Sequence, residues 1–139
     1  MKWLGYIFSS SWRLWFLISF IIFFFMFIPL LFLFTAILKN NKMVNYTTKY
    51  WAKLSLIFSG IFWDVEFEEK LDPKKTYIFC ANHVSTLDIP LIAAIIPLPL
   101  LFMGKKELVK IPIFGYFYKK NSVIVDRSKI KDSYGAFLK

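Results

Sequence analysis

Tyr77-Ile78-Phe79-Cys80-Ala81-Asn82-His83-Val84-Ser85-Thr86-Leu87-Asp88-Ile89-Pro90-Leu91-Ile92-Ala93-Ala94-Ile95-Ile96 joins two apolar runs through a polar turn. The first run, Tyr77 to Ala81, reads as a buried strand and the second, Ile89 to Ile96, as a buried helix. An α/β protein tends to put its chemistry in such a turn. His83 is the only histidine of the chain, and Asp88 follows it five positions later. Two readings compete on these residues alone. An imidazole oriented by a carboxylate is a base able to activate a hydroxyl for acyl transfer or hydrolysis. Ser85-x-x-Asp88 is equally the pattern of a capping box ahead of an apolar run, which leaves His83 merely exposed in the turn. With Ser85 as the cap, Pro90 falls at the fifth helical position, where it removes a backbone donor and crowds the carbonyl four residues back. A helix that starts nearer Asp88 avoids that clash.

Downstream, Pro97-Leu98-Pro99 ends the helix and Leu100-Leu101-Phe102-Met103 reads as the next strand. A short helix or loop over Ile111 to Phe117 leads to a further strand, Ser122-Val123-Ile124-Val125, with Asp126-Arg127 at its end. Upstream, Val65-Glu66-Phe67-Glu68 alternates like an exposed strand, and Leu71-Asp72-Pro73-Lys74-Lys75 is a turn into Tyr77. The order strand, helix, strand, helix, strand argues for an α/β sheet. Cys80, the single cysteine, excludes an internal disulfide framework and a cysteine-rich metal site, and its apolar run makes it an ordinary buried thiol. No metal site is expected.

The N-terminal part has a different character. Leu14 to Leu38 holds no charged residue and is bracketed by Arg13 and Lys39. As a helix it reaches roughly 37 Å, enough to cross a hydrocarbon core of about 30 Å. The run is too long for the apolar part of a signal peptide, and no small-x-small cleavage site comes after it. Pro29 permits either one straight or kinked span or a helix-break-helix hairpin. Lys39, Lys42, Lys49 and Lys53 lie beyond the run, whereas Lys2 and Arg13 alone precede it, a bias that places the downstream residues on the cytoplasmic face. Trp3, Trp12, Trp15, Tyr46, Tyr50 and Trp51 suit an interfacial aromatic belt. Tyr46 to Trp63 carries a second apolar stripe at helical spacing and is expected to lie in the interface. The chain thus divides into membrane-embedded and interfacial helices over 1–63 and an α/β part over 64–139. Composition agrees: 58% of the residues are hydrophobic and the formal net charge is +9, which favours an anionic membrane as partner. Scattered lysines without a recognisable module argue against nucleic acid.

Asn82-His83 with Asp88, followed by Ile89-Pro90-Leu91, resembles the first motif of the glycerolipid acyltransferases typified by 1-acylglycerol-3-phosphate acyltransferase. Gly104 to Gly115 looks like the segment between that family's first two motifs, and Val123-Ile124-Val125-Asp126-Arg127 resembles the second. The likeness covers about residues 64 to 128. Asn121 stands where the second motif usually begins with glycine, and asparagine also accepts left-handed backbone angles. The family's third motif, proline-glutamate-glycine-threonine, and its proline-centred fourth motif are absent up to Lys139. Residues Ser128 to Lys139 read as a helix just under way, so the chain is expected to be a truncated fragment, its α/β sheet domain incomplete.

The resemblance implies acyl transfer from acyl-CoA or acyl-carrier protein to the free hydroxyl of lysophosphatidic acid, giving phosphatidic acid, with no cofactor beyond the acyl donor. His83 is implied as general base, Asp88 as the group that fixes its tautomer, Arg127 as the ligand of the substrate phosphate and Lys105 as a second candidate for that anionic site. Asn82 is expected to orient the turn. Against these stand plain structural roles: Arg127 paired with a neighbouring acid, and Lys105, Lys106 and Lys110 as a solvated or lipid-facing patch. An alternative from another class is a non-catalytic membrane anchor or interaction module of the same family.

Overall fold

In the computed structural model, which describes residues 2–126, the uncharged run lies in one long helix. Helix α1 (Lys2–Phe32) contains Pro29 in its interior without ending there. The chain then takes a wider π-helical turn over Leu33–Ile37, in which the Leu38 N–H donates to the Leu33 carbonyl at 2.8 Å. From Gly5 to Ile37 this is a helix of 33 residues, long and apolar enough to cross a membrane. No break occurs at Pro29. The chain reverses only beyond it, where Lys39 adopts a left-handed φ of 48°.

Helix α2 (Asn41–Phe58) starts where the Asn40 side chain accepts from the Met43 N–H at 3.1 Å, a standard N-cap. It stops where Gly60, at φ 74°, lets the Gly60 N–H reach the Ile57 carbonyl and the Ile61 N–H reach the Leu56 carbonyl. Those paired bonds are the Schellman closure, which needs a left-handed residue after the cap. The apolar stripe at Tyr46 to Trp63 suggested a later helix. Both ends lie further upstream because Asn40 and Gly60, rather than the stripe, set the boundaries.

α2 runs antiparallel along α1. Trp12 and Trp15, expected in an aromatic belt, donate their indole N–H groups to the Ser59 and Phe58 carbonyls at 3.0 and 2.8 Å. They thereby satisfy carbonyls that a helix C-terminus leaves without donors. Trp51 packs against the rings of Phe20 and Phe24 at centroid distances of 4.6 and 6.0 Å, and Leu31 is buried with Val44 further along. On the other side of α2, Ala52 and Leu56 are buried together with Ala93 and Ala94 of α3 (Asp88–Ile95). Lys49 donates to the Ile96 carbonyl at 2.5 Å, and Asn45 accepts from the Leu100 N–H at 2.7 Å. Burial, and then the nearby Lys53 charge, lower the Lys49 pKa. Residues 45, 49, 52 and 56 share one helical face, and that face holds both ends of the segment from α3 to the sheet.

The sheet consists, among the described residues, of two parallel strands, β1 (Phe102–Lys105) and β2 (Ser122–Val125), in register from Phe102↔Ser122 to Lys105↔Val125. A 3₁₀ turn, Lys106–Lys110, and helix α4 (Phe114–Asn121) make the crossover that parallel strands require. Phe102 packs against the Ala52–Leu56 cluster, so α3 and β1 share one core. Phe117 of α4 joins Leu31 and Val44. The crossover is tightly constrained. A Cβ at Gly115 would lie 2.0 Å from the Val109 carbonyl oxygen, and one at Gly104 would lie 1.6 Å from the Tyr118 hydroxyl oxygen. Ile113 has φ 63° and ψ −60°, and the Phe114 N–H donates across it to the Pro112 carbonyl at 2.6 Å. This is a γ-turn of the rare positive-φ form, strained for a β-branched residue.

Three expectations are corrected. Tyr77 to Ala81 forms no strand among the described residues, with Ile78 81% exposed; an apolar run becomes a strand only beside a partner, and β1 and β2 pair with each other. Cys80 is exposed for the same reason. Val65 to Glu68 forms no strand either. The helix expected over Ser128 to Lys139 lies outside the described residues.

The crossover geometry separates two substitutions that sequence alone would grade alike. Gly115→Ala is expected to destabilise the fold by about 3 kcal/mol or more, because backbone must move. Ile113→Gly is expected to be neutral or to stabilise by about 1 kcal/mol through relief of strain. Chemical denaturation of the detergent-solubilised protein measures both.

Candidate active site

Helix α3 begins at Asp88, so Pro90 is its third residue. A proline there loses nothing, since first-turn N–H groups have no intrahelical acceptor. The first bond of the new helix runs from the Leu91 N–H to the Leu87 carbonyl at 3.0 Å. Ahead of it the chain wraps around a single carboxylate oxygen. Asp88 Oδ2 accepts from the Val84 and Ser85 N–H groups, each at 2.8 Å, and lies 3.0 Å from His83 Nδ1. The Ser85 hydroxyl accepts from the Leu87 N–H at 3.2 Å. Of the capping-box pattern, half is realised: the acid reaches back to the serine N–H, while the serine bonds within its own turn. The catalytic and capping readings are therefore compatible, because the oxygen that folds the turn also holds the imidazole.

Those donors set the electrostatics. The Ser85 N–H and then the His83 ring lower the Asp88 pKa, burial opposes them, and the Val84 N–H adds a smaller lowering. The place of Asp88 in the first turn of α3 also lowers it, since the positive end of a helix dipole favours an anion. A carboxylate held as an anion keeps Nδ1 protonated and directs the lone pair to Nε2. The His83 side chain is 63% exposed against 26% for Asp88, so the outer face of the ring is open to solvent.

Of the other expected site residues, the described part of the chain contains Lys105. Lys105 is exposed at the C-terminal end of β1, opposite Val125. This is the carboxyl edge of the parallel pair, where such sheets bind ligands. No hydrogen bond or ion pair joins Lys105 to His83 or Asp88 among the described residues. Lys106 does not belong to a free basic patch: its Nζ pairs with Asp126 Oδ2 at 3.1 Å. Arg127 lies outside the described residues. Asn82 makes no side-chain hydrogen bond among them, so the turn is oriented by Asp88 and Ser85 instead. Among the described residues no three His, Cys, Asp or Glu side chains gather as a metal-binding group. Sequence reasoning missed Lys49 and Asn45, which fix the far end of α3. Their partners lie 47 and 55 residues away, and no local pattern announces such contacts.

Residues 63–137 match the family model described as Acyltransferase. The chain is also similar to the 1-acyl-sn-glycerol-3-phosphate acyltransferase of Saccharomyces cerevisiae, at 33% identity over 100 residues. That alignment covers 71% of this chain and 33% of the yeast protein, so the chain spans about a third of the relative's length. No solved structure gives a significant match. The matched segment holds the His83–Asp88 turn, Lys105, the crossover and β2, and as the family model covers more than half of the sequence, the chain belongs to the acyltransferase family.

Proposed function

We propose that the chain transfers an acyl group from the thioester of acyl-CoA or acyl-carrier protein to the free hydroxyl of lysophosphatidic acid, giving phosphatidic acid. The observation that carries this reading is the His83–Asp88 pair at the start of α3, inside the family-matched segment. The name of the yeast relative supports the acceptor. Nε2 of His83 takes the hydroxyl proton as the oxygen attacks the thioester carbonyl, and Asp88 stabilises the imidazolium that forms. The carbon–sulfur bond then breaks, and the proton passes to the departing thiolate. No bond forms between the chain and the acyl group, and no cofactor is used. Lys105 and Arg127 are assigned to the acceptor phosphate, a role for which arginine's fork is well suited.

The membrane placement belongs to the same proposal. α1 exposes Ile7, Phe8, Leu14, Ile22 and Phe25, more contiguous apolar surface than a soluble monomer leaves open. α2 lies antiparallel beside α1 and carries Lys49 and Lys53, with α3 attached. A perpendicular crossing would draw those charges toward the bilayer centre at about 2.5–3.5 kcal/mol each. We therefore place the hairpin along the interface with the outer face of α1 in lipid. The basic excess favours the cytoplasmic leaflet, whose anionic lipids attract lysine and arginine.

Transfer of labelled acyl groups from acyl-CoA to lysophosphatidic acid tests the assignment. His83→Ala is expected to lower the rate by about 10²–10⁴-fold, and Asp88→Asn to lower kcat with little change in KM. Lys105→Ala is expected to raise the KM for lysophosphatidic acid. Equal transfer by wild type and His83→Ala would sink the general-base assignment, and no transfer above background by the wild type would leave the non-catalytic anchor of the same family as the surviving reading. The lowered Asp88 pKa adds a pH signature. A depressed carboxylate contributes stability above its unfolded pKa, about 3.9, and loses it as pH falls through the folded value. The Val84 and Ser85 amide resonances should therefore report an Asp88 titration below the ordinary aspartate range.

A further inference from the structure

A cavity of about 230 Å³ lies where the α1–α2 hairpin reverses against the C-terminal end of α4. It is lined by Thr35, Lys39, Asn41, Tyr116, Lys120 and Asn121, with Ala36 completing the wall. None of His83, Asp88 or Lys105 takes part. We propose that this cavity binds a phosphate group carried by a membrane lipid, at a site separate from the acyl-transfer turn.

Charge is the first reason. Two lysines line the cavity and no carboxylate does. Asn41 is the first residue of the 18-residue α2, so the positive end of a full-length helix dipole opens there. The C-terminal ends of α1 and α4 bring about half a negative charge each, which two lysines and the α2 N-terminus outweigh. Polar supply is the second reason. The Thr35 hydroxyl is buried without a hydrogen-bond partner, and such groups are rare unless a ligand or water completes them. Tyr116 and the two asparagines add further donors.

The backbone supplies the third reason. Thr35 and Ala36 sit in the π-helical turn Leu33–Ile37, a device frequent at functional sites. Lys39 comes next at φ 48°, where glycine or asparagine fits more easily. A lysine held in that conformation is explained when its charge is used. The neighbouring surface points to the source of the phosphate. An apolar groove of about 540 Å³ runs along the same hairpin, lined by Phe27, Leu30, Phe34, Tyr46, Tyr50 and Leu54 among others, and it suits an acyl chain. The lipid source rests on the membrane placement proposed above, whereas the phosphate chemistry does not.

Flotation of this chain with phosphatidylcholine vesicles, with and without phosphatidylglycerol, tests the site. Lys39→Asn/Lys120→Gln removes both cavity charges, and asparagine retains tolerance for the left-handed angle. Lys42→Gln/Lys119→Gln removes two neighbouring charges that do not line the cavity. The proposal expects phosphatidylglycerol to strengthen binding of the wild type, with at least about tenfold of that gain lost in the cavity variant and most of it kept in the neighbour variant. Thr35→Val should lose part of it. Equal losses in the two double variants overturn the site, since bulk surface charge would then explain the gain. If no vesicle binds the chain, the membrane placement fails, and inorganic phosphate added to the detergent-solubilised protein decides. A saturable shift of the Thr35 and Lys39 resonances, absent from the cavity variant, upholds a phosphate site with a soluble source. No shift overturns the site altogether.

Discussion

Packing on both sides of α2 is the constraint on which the rest of the structure depends. One side meets α1 through the indoles of Trp12 and Trp15, the Phe20–Trp51–Phe24 ring group and the Leu31–Val44 contact. The other side offers Ala52 and Leu56 to α3 and β1. Small residues matter on that second side, because Ala52, Ala93 and Ala94 let two helices approach closely before Leu56 fills what remains. A larger residue at Ala52, which has no exposed surface, would push α3 away, and overpacking of this kind costs about 1–3 kcal/mol. Lys49 and Asn45 then fix the register, since each reaches a backbone group beyond the end of α3.

Asp88 is the local counterpart of that long-range constraint. Its Oδ2 serves two backbone donors and the imidazole at once, so turn geometry and ring orientation cannot vary independently. A base on an exposed turn would ordinarily sample many rotamers. Here the carboxylate that limits them is itself fixed at the first residue of a helix. The donors that fold the turn also keep the carboxylate ionised, which is the state an imidazolium partner requires.

How far all this was legible from sequence depends on range. The start of α3 near Asp88 followed from Pro90 alone, because proline fits only the first turn. The His83–Asp88 pairing followed from spacing and resemblance, as did β2, and both rest on local chemistry. The Tyr77 to Ala81 run misled because its apolar character says nothing about whether a partner strand stands beside it. Cys80 was misjudged with it. The antiparallel seating of α2 on α1 and the roles of Lys49, Asn45, Trp12 and Trp15 join residues more than forty positions apart. Side-chain periodicity marks which face of a helix is apolar, and not which element will cover it. The positive φ of Ile113 and the close approach at Gly115 were likewise invisible, since both depend on where Val109 and Pro112 place their carbonyls.

The two constraints meet in α3. Its C-terminal end is tied to α2 at Ile96, and its N-terminal end is Asp88. The eight residues of α3 separate the tie from the His83–Asp88 turn, about 12 Å of helix. In the proposed membrane placement, the hairpin that rests on lipid and the imidazole proposed as the base are therefore joined by one short helix rather than by a flexible linker. The proposed acceptor, a lysolipid, keeps its acyl tail in the bilayer, so only its glycerol and phosphate can travel outward to the proposed base. Fixing His83 at a set height above the hairpin limits how far that hydroxyl must leave the membrane, and an α3 free to tilt would lose the advantage.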